Sequence, residues 1–192
     1  MRRCMRIASI TTGSYVNGPG KRNVLHVQGC TIGCPGCFNK HTWPSSGGTD
    51  VCERVVVHAL IQDSPDGITI SGGEPMEQWE SVSEVIRLVL TEKPELTVLM
   101  FTGWTKEHLE RSGHLAEMSQ ISAVVSGPYV EKLACSEPLR GSSNQEIIFL
   151  DGRLDNDSLV LLPIVEVHCD GETATITGFP DKSIRQSLMK EL

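Results

Sequence analysis

No stretch of this chain is apolar for long, and none is basic. The longest apolar segments, Leu96–Phe101 and Ser158–Ile164, fall far short of the roughly 20 residues that a bilayer-spanning helix requires. The N-terminal MRRCMRIASITTGS begins with a basic pair, but its apolar part is short and soon meets Thr, Gly and Asn, so it reads as a first strand rather than a signal peptide. Lys and Arg number 17 against 24 Asp and Glu, a formal net charge of −7, and a chain without a basic patch does not attract phosphate backbones or anionic lipid. Nucleic acid and membrane are therefore not expected as partners, and a cytoplasmic location is expected. Internal repeats and low-complexity tracts are missing too. So is the even, spread-out cysteine pattern of a disulfide framework, because the seven cysteines are odd in number and three crowd together. Intracellular thiols held for metal fit that pattern better. At 192 residues, 39% hydrophobic and 21% charged, the chain suits one globular domain with one continuous core.

What the chain does carry is a hydrophobic period that changes repeatedly. Residues 23–28 (NVLHVQ) read as a strand, and 51–62 as a helix with Val51, Val55 and Ala59 one turn apart behind Thr49 or Asp50 as N-cap. Residues 67–70 read as a short buried strand. The next helix, 77–90, places Val82, Val85, Ile86 and Val89 on one apolar face, and Pro94 marks its end. A strand over 96–102, a helix over 105–118 and a strand over 121–125 follow. Strands alternating with helices imply an α/β fold with a parallel sheet and right-handed crossovers. Beyond Leu150 the character shifts: Val165, Val167 and Cys169 alternate with Glu166 and His168, and Asp170-Gly171 supplies a two-residue turn before a second β-rich run, Thr173–Thr177. That turn places Val167 opposite Ala174 and Val165 opposite Ile176, all buried on one face. The expected organisation is a catalytic core over 1–150 and a C-terminal β-hairpin extension over 151–192, which covers an exposed edge or helps dock a protein substrate.

The strongest signal is Gly29–Asn39, GCTIGCPGCFN, which sets Cys30, Cys34 and Cys37 at C-x3-C-x2-C directly after a predicted strand. Soft thiolates select zinc, copper(I) or iron–sulfur clusters, and Gly33, Pro35 and Gly36 allow a tight loop whose amides can face cluster sulfides. A structural zinc needs four protein ligands. Cys4, Cys52, Cys135 and Cys169 stand singly, which leaves His26 or His41 to complete a Cys3His site. On a four-iron cubane, by contrast, three thiolates leave one iron open to a chelating ligand. Gly72-Gly73-Glu74-Pro75 closes the strand Ile68–Ser71 some 35 residues after the third cysteine. His58, His108 and His114 fall on predicted helices and read as solvated or packed, Cys52 reads as a small buried hydrophobe, and strand alternation sends His168 and Cys169 to opposite faces.

The three-cysteine spacing with Phe38 directly after Cys37 resembles the radical S-adenosylmethionine (SAM) signature, and Gly72–Pro75 is similar to that superfamily's glycine-rich strand end. Within it, Asn17-Gly18-Pro19-Gly20-Lys21-Arg22, Cys34–Asn39 with Thr42-Trp43, Phe101-Thr102-Gly103-Trp104 and Arg140–Gln145 resemble the activating proteins of the anaerobic ribonucleotide reductase. The resemblance covers roughly residues 10–150. It implies an incomplete (β/α) barrel with parallel strands, open at one side to a large protein substrate. It implies a 4Fe–4S cluster on Cys30, Cys34 and Cys37, with SAM met by Gly72, Gly73 and Glu74 at its amino end and by Phe38 and Thr102 on its adenosine side. Trp104 could line the same pocket or pack. No catalytic residue is implied beyond the cluster ligands. The implied activity is reductive cleavage of SAM to a 5′-deoxyadenosyl radical that forms a glycyl radical on a partner enzyme, with an external one-electron reductant such as flavodoxin or ferredoxin. The family commonly carries an aspartate before the glycine where this chain has Ser126-Gly127. Two other readings stand beside this one: a radical SAM enzyme that modifies a peptide or small molecule, and a non-enzymatic cysteine-rich metal-binding module.

Overall fold

A computed structural model describes residues 4–169 and 174–179. Two antiparallel strands, β1 (Cys4–Ser14) and β2 (Arg22–Val27), open the fold, and β3 (Thr49–Cys52) pairs with the outer side of β1. Three units then follow: α1 (Glu53–Leu60) into β4 (Gly67–Gly72), α2 (Trp79–Glu92) into β5 (Thr97–Thr102), and α3 (Lys106–Arg111) with α4 (His114–Glu117) into β6 (Ala123–Ser126). A small hairpin of β7 (Ala134–Glu137) and β8 (Arg140–Ser142) precedes β9 (Glu146–Phe149), and β10 (Val165–Cys169) pairs with β11 (Ala174–Gly178).

The seven-stranded sheet runs β3-β1-β2-β4-β5-β6-β9. Its centre, β2-β4-β5-β6, is parallel, as the strand–helix alternation predicts, while both flanks are antiparallel. The sheet is open: its described strands do not close into a ring, and antiparallel strands stand where an incomplete barrel of parallel strands would carry further strand–helix units.

Period-two alternation gives the sheet two covered faces. On β5, Val98 and Met100 join one cluster, with Val56, Leu60, Val82 and Val85 from α1 and α2, while Leu99 joins another with Ala123, Val125 and Leu139. Leu154 and Leu159, beyond Leu150, are buried in that second cluster, and Leu162 and Phe179 pack against it. The expected face of α2 is observed, since Val82, Val85, Ile86 and Val89 are all buried. Each such side chain contributes about 1.5–3 kcal/mol when fully removed from water.

Three local expectations are corrected. Val51 and Cys52 belong to β3 and not to α1, whose N-cap is Cys52 rather than Thr49 or Asp50; Val55 is 58% exposed while Val56, Val57 and Leu60 turn inward. The single helix over 105–118 is two short ones, broken where Gly113 takes φ 81° as N-cap of α4. The terminal hairpin exists in a register two residues away from the expected one, pairing Val167 with Ile176 and Val165 with Gly178, and Val167 is exposed. The proposed Asp170-Gly171 turn lies outside the described residues. Among the described residues no helix is long and apolar enough to cross a membrane.

Candidate iron–sulfur site

The four parallel strands end together at Val27, Gly72, Thr102 and Ser126, and ligands of open α/β sheets collect beyond such carboxyl ends. The chain leaving β2 is stitched in place there. Gly29 N–H donates to Thr42 O at 2.7 Å and Cys30 N–H to Trp43 O at 3.1 Å. The amides of Gly73 and Glu74 donate to Val27 O and Gly29 O, both at 2.8 Å. A Cβ on Gly73 would sit 2.2 Å from Gly29 O, so this glycine is required because the cysteine loop itself packs on it. The glycine pair therefore admits a neighbouring backbone first and a ligand second.

The resulting cavity of about 110 Å³ is lined by Cys30, Cys34 and Cys37 together with Gly72, Gly73, Glu74 and Thr102. Burial pushes the Cys30 thiol up from its ordinary value, against the amides of Ile32 and Gly33, which point at its sulfur. Burial likewise raises Cys34, opposed chiefly by the amide of Tyr129. Amides aimed at sulfur favour the thiolate and are the donors an iron–sulfur centre uses to set its potential. Among the described residues, no three His, Cys, Asp or Glu side chains gather closely enough to grip a single metal ion. Three half-buried thiols spread around one cavity, with amides turned toward them, are a donor set that fits a polynuclear iron–sulfur cluster.

Glu74 is 1% exposed and ties two strand ends together. Its Oε1 accepts from Thr102 Oγ1 at 2.7 Å and Met76 N–H at 2.9 Å, and its Oε2 accepts from Gly103 N–H at 2.8 Å. Burial raises its pKa despite these three donors. A cationic group in the cavity would offset that cost. Thr102, expected on the adenosine side, spends its hydroxyl hydrogen on Glu74 and accepts from Trp104 N–H at 3.0 Å.

Other expected residues lie elsewhere. Phe38, 42% exposed, lines a neighbouring cavity rather than this one. Trp104 does not line the cysteine cavity; it packs edge-on against the exposed His108 at 4.3 Å and the half-buried His114 at 5.6 Å. Ser126 is buried and donates to Trp104 O at 2.9 Å. Cys52 stands opposite Cys4 on the β1–β3 pair, and Cys135 Sγ approaches Arg140 O in the small hairpin. Sequence reasoning missed Trp43, Tyr129 and Gln145 as lining residues. Gln145 was visible only as part of the Arg140–Gln145 segment. Its Oε1 accepts from Gly141 N–H at 2.9 Å and its Nε2 donates to Gly127 O at 3.0 Å, which holds the turn carrying Tyr129 against the cysteines.

These residues define an iron–sulfur protein, and the comparisons agree: residues 16–148 match the family described as a 4Fe-4S single cluster domain. The chain is 30% identical over 139 residues to the anaerobic ribonucleoside-triphosphate reductase-activating protein of Enterobacteria phage T4, covering 69% of this chain and 86% of that protein. It is 34% identical over 143 residues to the protein of that name from Vibrio cholerae and 33% identical over 141 residues to that from Escherichia coli, covering 69% of this chain and 90% of each. The chain belongs to the 4Fe-4S single-cluster family and, within it, to the anaerobic ribonucleoside-triphosphate reductase-activating proteins.

Proposed function

We propose that this protein is a radical SAM activase that installs a glycyl radical on an anaerobic ribonucleotide reductase. The observation that carries this reading is that Cys30, Cys34 and Cys37 line one cavity together with Gly72, Gly73 and Glu74 at the carboxyl ends of the parallel strands. When bound, the cluster and SAM supply the chemistry: one electron from a flavodoxin- or ferredoxin-type donor cleaves the sulfonium to methionine and a 5′-deoxyadenosyl radical, which takes a hydrogen atom from a glycine Cα.

The chain's own residues bind and orient. Cys30, Cys34 and Cys37 would hold the cluster as thiolates, with the amides of Ile32 and Gly33 stabilising charge on the Cys30 sulfur and that of Tyr129 on the Cys34 sulfur. Glu74, already fixed by three donors, presents a buried carboxylate to the SAM ammonium. Thr102 positions Glu74 through its hydroxyl. Tyr129 and Trp43 enclose the cavity and limit water and stray hydrogen donors.

The test is anaerobic reconstitution with iron, sulfide, SAM and reductant, followed by an assay for 5′-deoxyadenosine and by EPR of an added anaerobic reductase. Formation of the nucleoside with a glycyl-radical signal is expected. The nucleoside without any radical on the reductase would move the substrate to a peptide or small molecule, and no nucleoside at all would leave a metal-binding module.

A further inference from the structure

Two cysteines outside the iron–sulfur loop are cross-strand partners. Cys4 on β1 stands directly opposite Cys52 on β3, at one end of an unbroken antiparallel register that goes on to pair Met5 with Val51, Arg6 with Asp50 and Ile7 with Thr49. We propose that Cys4 and Cys52 are a redox site, a cross-strand dithiol that a low-molecular-weight disulfide such as glutathione disulfide converts reversibly to a protein disulfide. The bond fastens β3, the strand on which the chain returns from the cysteine loop, to β1. The inference is independent of the radical SAM reading above.

Three observations support it. The first is the type of the pair. Arg6 turns its backbone away from β3: its N–H donates to Gln78 Oε1 at 2.8 Å, and its carbonyl accepts from Gln28 N–H at 3.0 Å and from Gln78 Nε2 at 2.8 Å. Arg6 and Asp50 are therefore a pair without mutual backbone hydrogen bonds, and because backbone direction alternates along a strand, Cys4 and Cys52, two residues along, are another. In such pairs the Cα atoms lie about 4.5 Å apart, inside the roughly 4.4–6.8 Å that a disulfide spans. The second observation is the shared face. Met5 and Ile7 are buried in the core, so Cys4 and Arg6 turn to the opposite face of β1. Cross-strand side chains do meet on that face, since Arg6 Nε donates to Asp50 Oδ1 at 2.9 Å. Cys4 is exposed and Cys52 half-buried, so one thiol is open to a reagent and its partner is sheltered beside it.

The third observation is what the bond would hold. β3 lies at one edge of the seven-stranded sheet, and residues 42–48 lead into it from the cysteine loop. Arg6 Nη1 donates to Ser45 O at 3.2 Å, Gln28 Nε2 donates to Pro44 O at 2.7 Å, and a Cβ on Gly48 would lie 2.3 Å from Ile7 O. The returning segment is thus laid against β1 before β3 begins, and a bond between Cys4 and Cys52 closes its far end, enclosing Cys30, Cys34 and Cys37 in one covalent loop. The exchange balances. The Cys4 thiolate attacks one sulfur of glutathione disulfide and expels a glutathione thiolate; the Cys52 thiolate then attacks the Cys4 sulfur of the mixed disulfide and expels the second. One protein S–S bond forms and one glutathione S–S bond breaks, both protein thiols are oxidised, and their protons pass to the two glutathione thiolates.

The experiment treats the anaerobically reconstituted protein with glutathione disulfide, quenches it with an alkylating reagent, and reads its digest by mass spectrometry alongside iron analysis. Cys4 and Cys52 should lose alkylation together and appear as one linked peptide pair, dithiothreitol should restore both thiols, and iron content should not change. Amide hydrogen exchange over Thr49–Cys52 should slow by about tenfold or more in the oxidised protein, because an edge strand tied to its neighbour no longer opens freely. In Cys52→Ser the reaction should stop with one glutathione on Cys4. The trapping itself needs no variant, so it decides the matter even if Cys52→Ser does not fold. A wild type in which Cys4 keeps glutathione while Cys52 stays alkylatable, linkage of either cysteine to Cys135 or Cys169 instead, loss of iron before the pair closes, or unchanged exchange over Thr49–Cys52 would each overturn the proposal.

Discussion

The same four parallel strands finish very differently at their two ends. At the carboxyl ends sit thiols, glycines and one buried carboxylate around a cavity. At the amino ends the space is filled by Arg22, 0% exposed, whose five N–H donors are all used. Nε donates to Thr69 Oγ1 at 2.7 Å, Nη1 to Pro19 O at 3.0 Å and Thr97 Oγ1 at 2.9 Å, and Nη2 to Thr97 O at 3.0 Å and to Ile68 O. Gly18 and Gly20 belong to this latch, since a Cβ on Gly18 would meet Arg22 Cδ at 2.5 Å and one on Gly20 would meet Asp66 at 2.7 Å. Burial pulls the guanidinium down to about 9, with Asp66 opposing, so it stays charged at neutral pH. Two motifs that both carry the family likeness thus do separate jobs: the Asn17–Arg22 element locks the sheet, and the cysteine loop with Gly72–Glu74 forms the site. One end is finished by satisfied hydrogen bonds, and the other is left able to take a guest.

The contrast is broken most completely at the thiols. Alanine at Cys30, Cys34 or Cys37 should abolish a cluster of about four irons per chain, whereas alanine at Cys52 or Cys135 should leave iron and sulfide unchanged on chemical analysis. Next in size is Arg22→Ala, which orphans acceptors on β4, β5 and the β1–β2 connection and should cost about 3–5 kcal/mol in denaturant unfolding, read as a lower midpoint. SAM cleavage per folded molecule should be nearly unaffected, which separates the latch from the site.

Gly73→Ala tests the site end from the backbone. Because its Cβ would strike Gly29 O, the cysteine loop must shift, and iron loading as well as SAM binding should fall. Full iron with weakened SAM would show that a ligand, and not the loop, needs that space.

The smallest effect is the pH dependence set by Glu74. Its folded pKa lies above the ordinary carboxylate value, so the folded apoprotein binds the proton more tightly than the unfolded chain. Its contribution to stability is fully present below the unfolded pKa and is lost as pH rises through the folded one. Apoprotein melting temperature should therefore decline as pH rises from about 4.3 toward that raised value, and Glu74→Gln should flatten this slope. SAM, by placing an ammonium there, should flatten it as well.

The site end was more legible in the sequence than the latch, and the reason is range. Cys30, Cys34 and Cys37 fall within eight residues, and Gly72-Gly73-Glu74 is a contiguous strand end, so spacing alone displays them. The meaning of Arg22 depends on Thr69 and Thr97, which only the β2-β4-β5 pairing brings to it. Tyr129 and Gln145 have no spacing signal and reach the cysteines through the antiparallel β6–β9 flank, whose short strands lack the periodicity that marks β4 and β5. Residues 49–52 misled for the same reason: Thr49-Asp50 looks like a helix cap, yet pairing with β1 makes a strand of it. Local propensity lost to a long-range partner there.

The central claim is that the cysteine cavity holds a cluster with an iron open to SAM. EPR of the reconstituted, reduced protein with and without saturating SAM tests it most directly. The account predicts a cubane signal that SAM alters in the wild type and alters less when Glu74 is replaced by glutamine. A cubane signal that SAM leaves unchanged, or no cubane signal in protein whose three cysteines are intact, would contradict it.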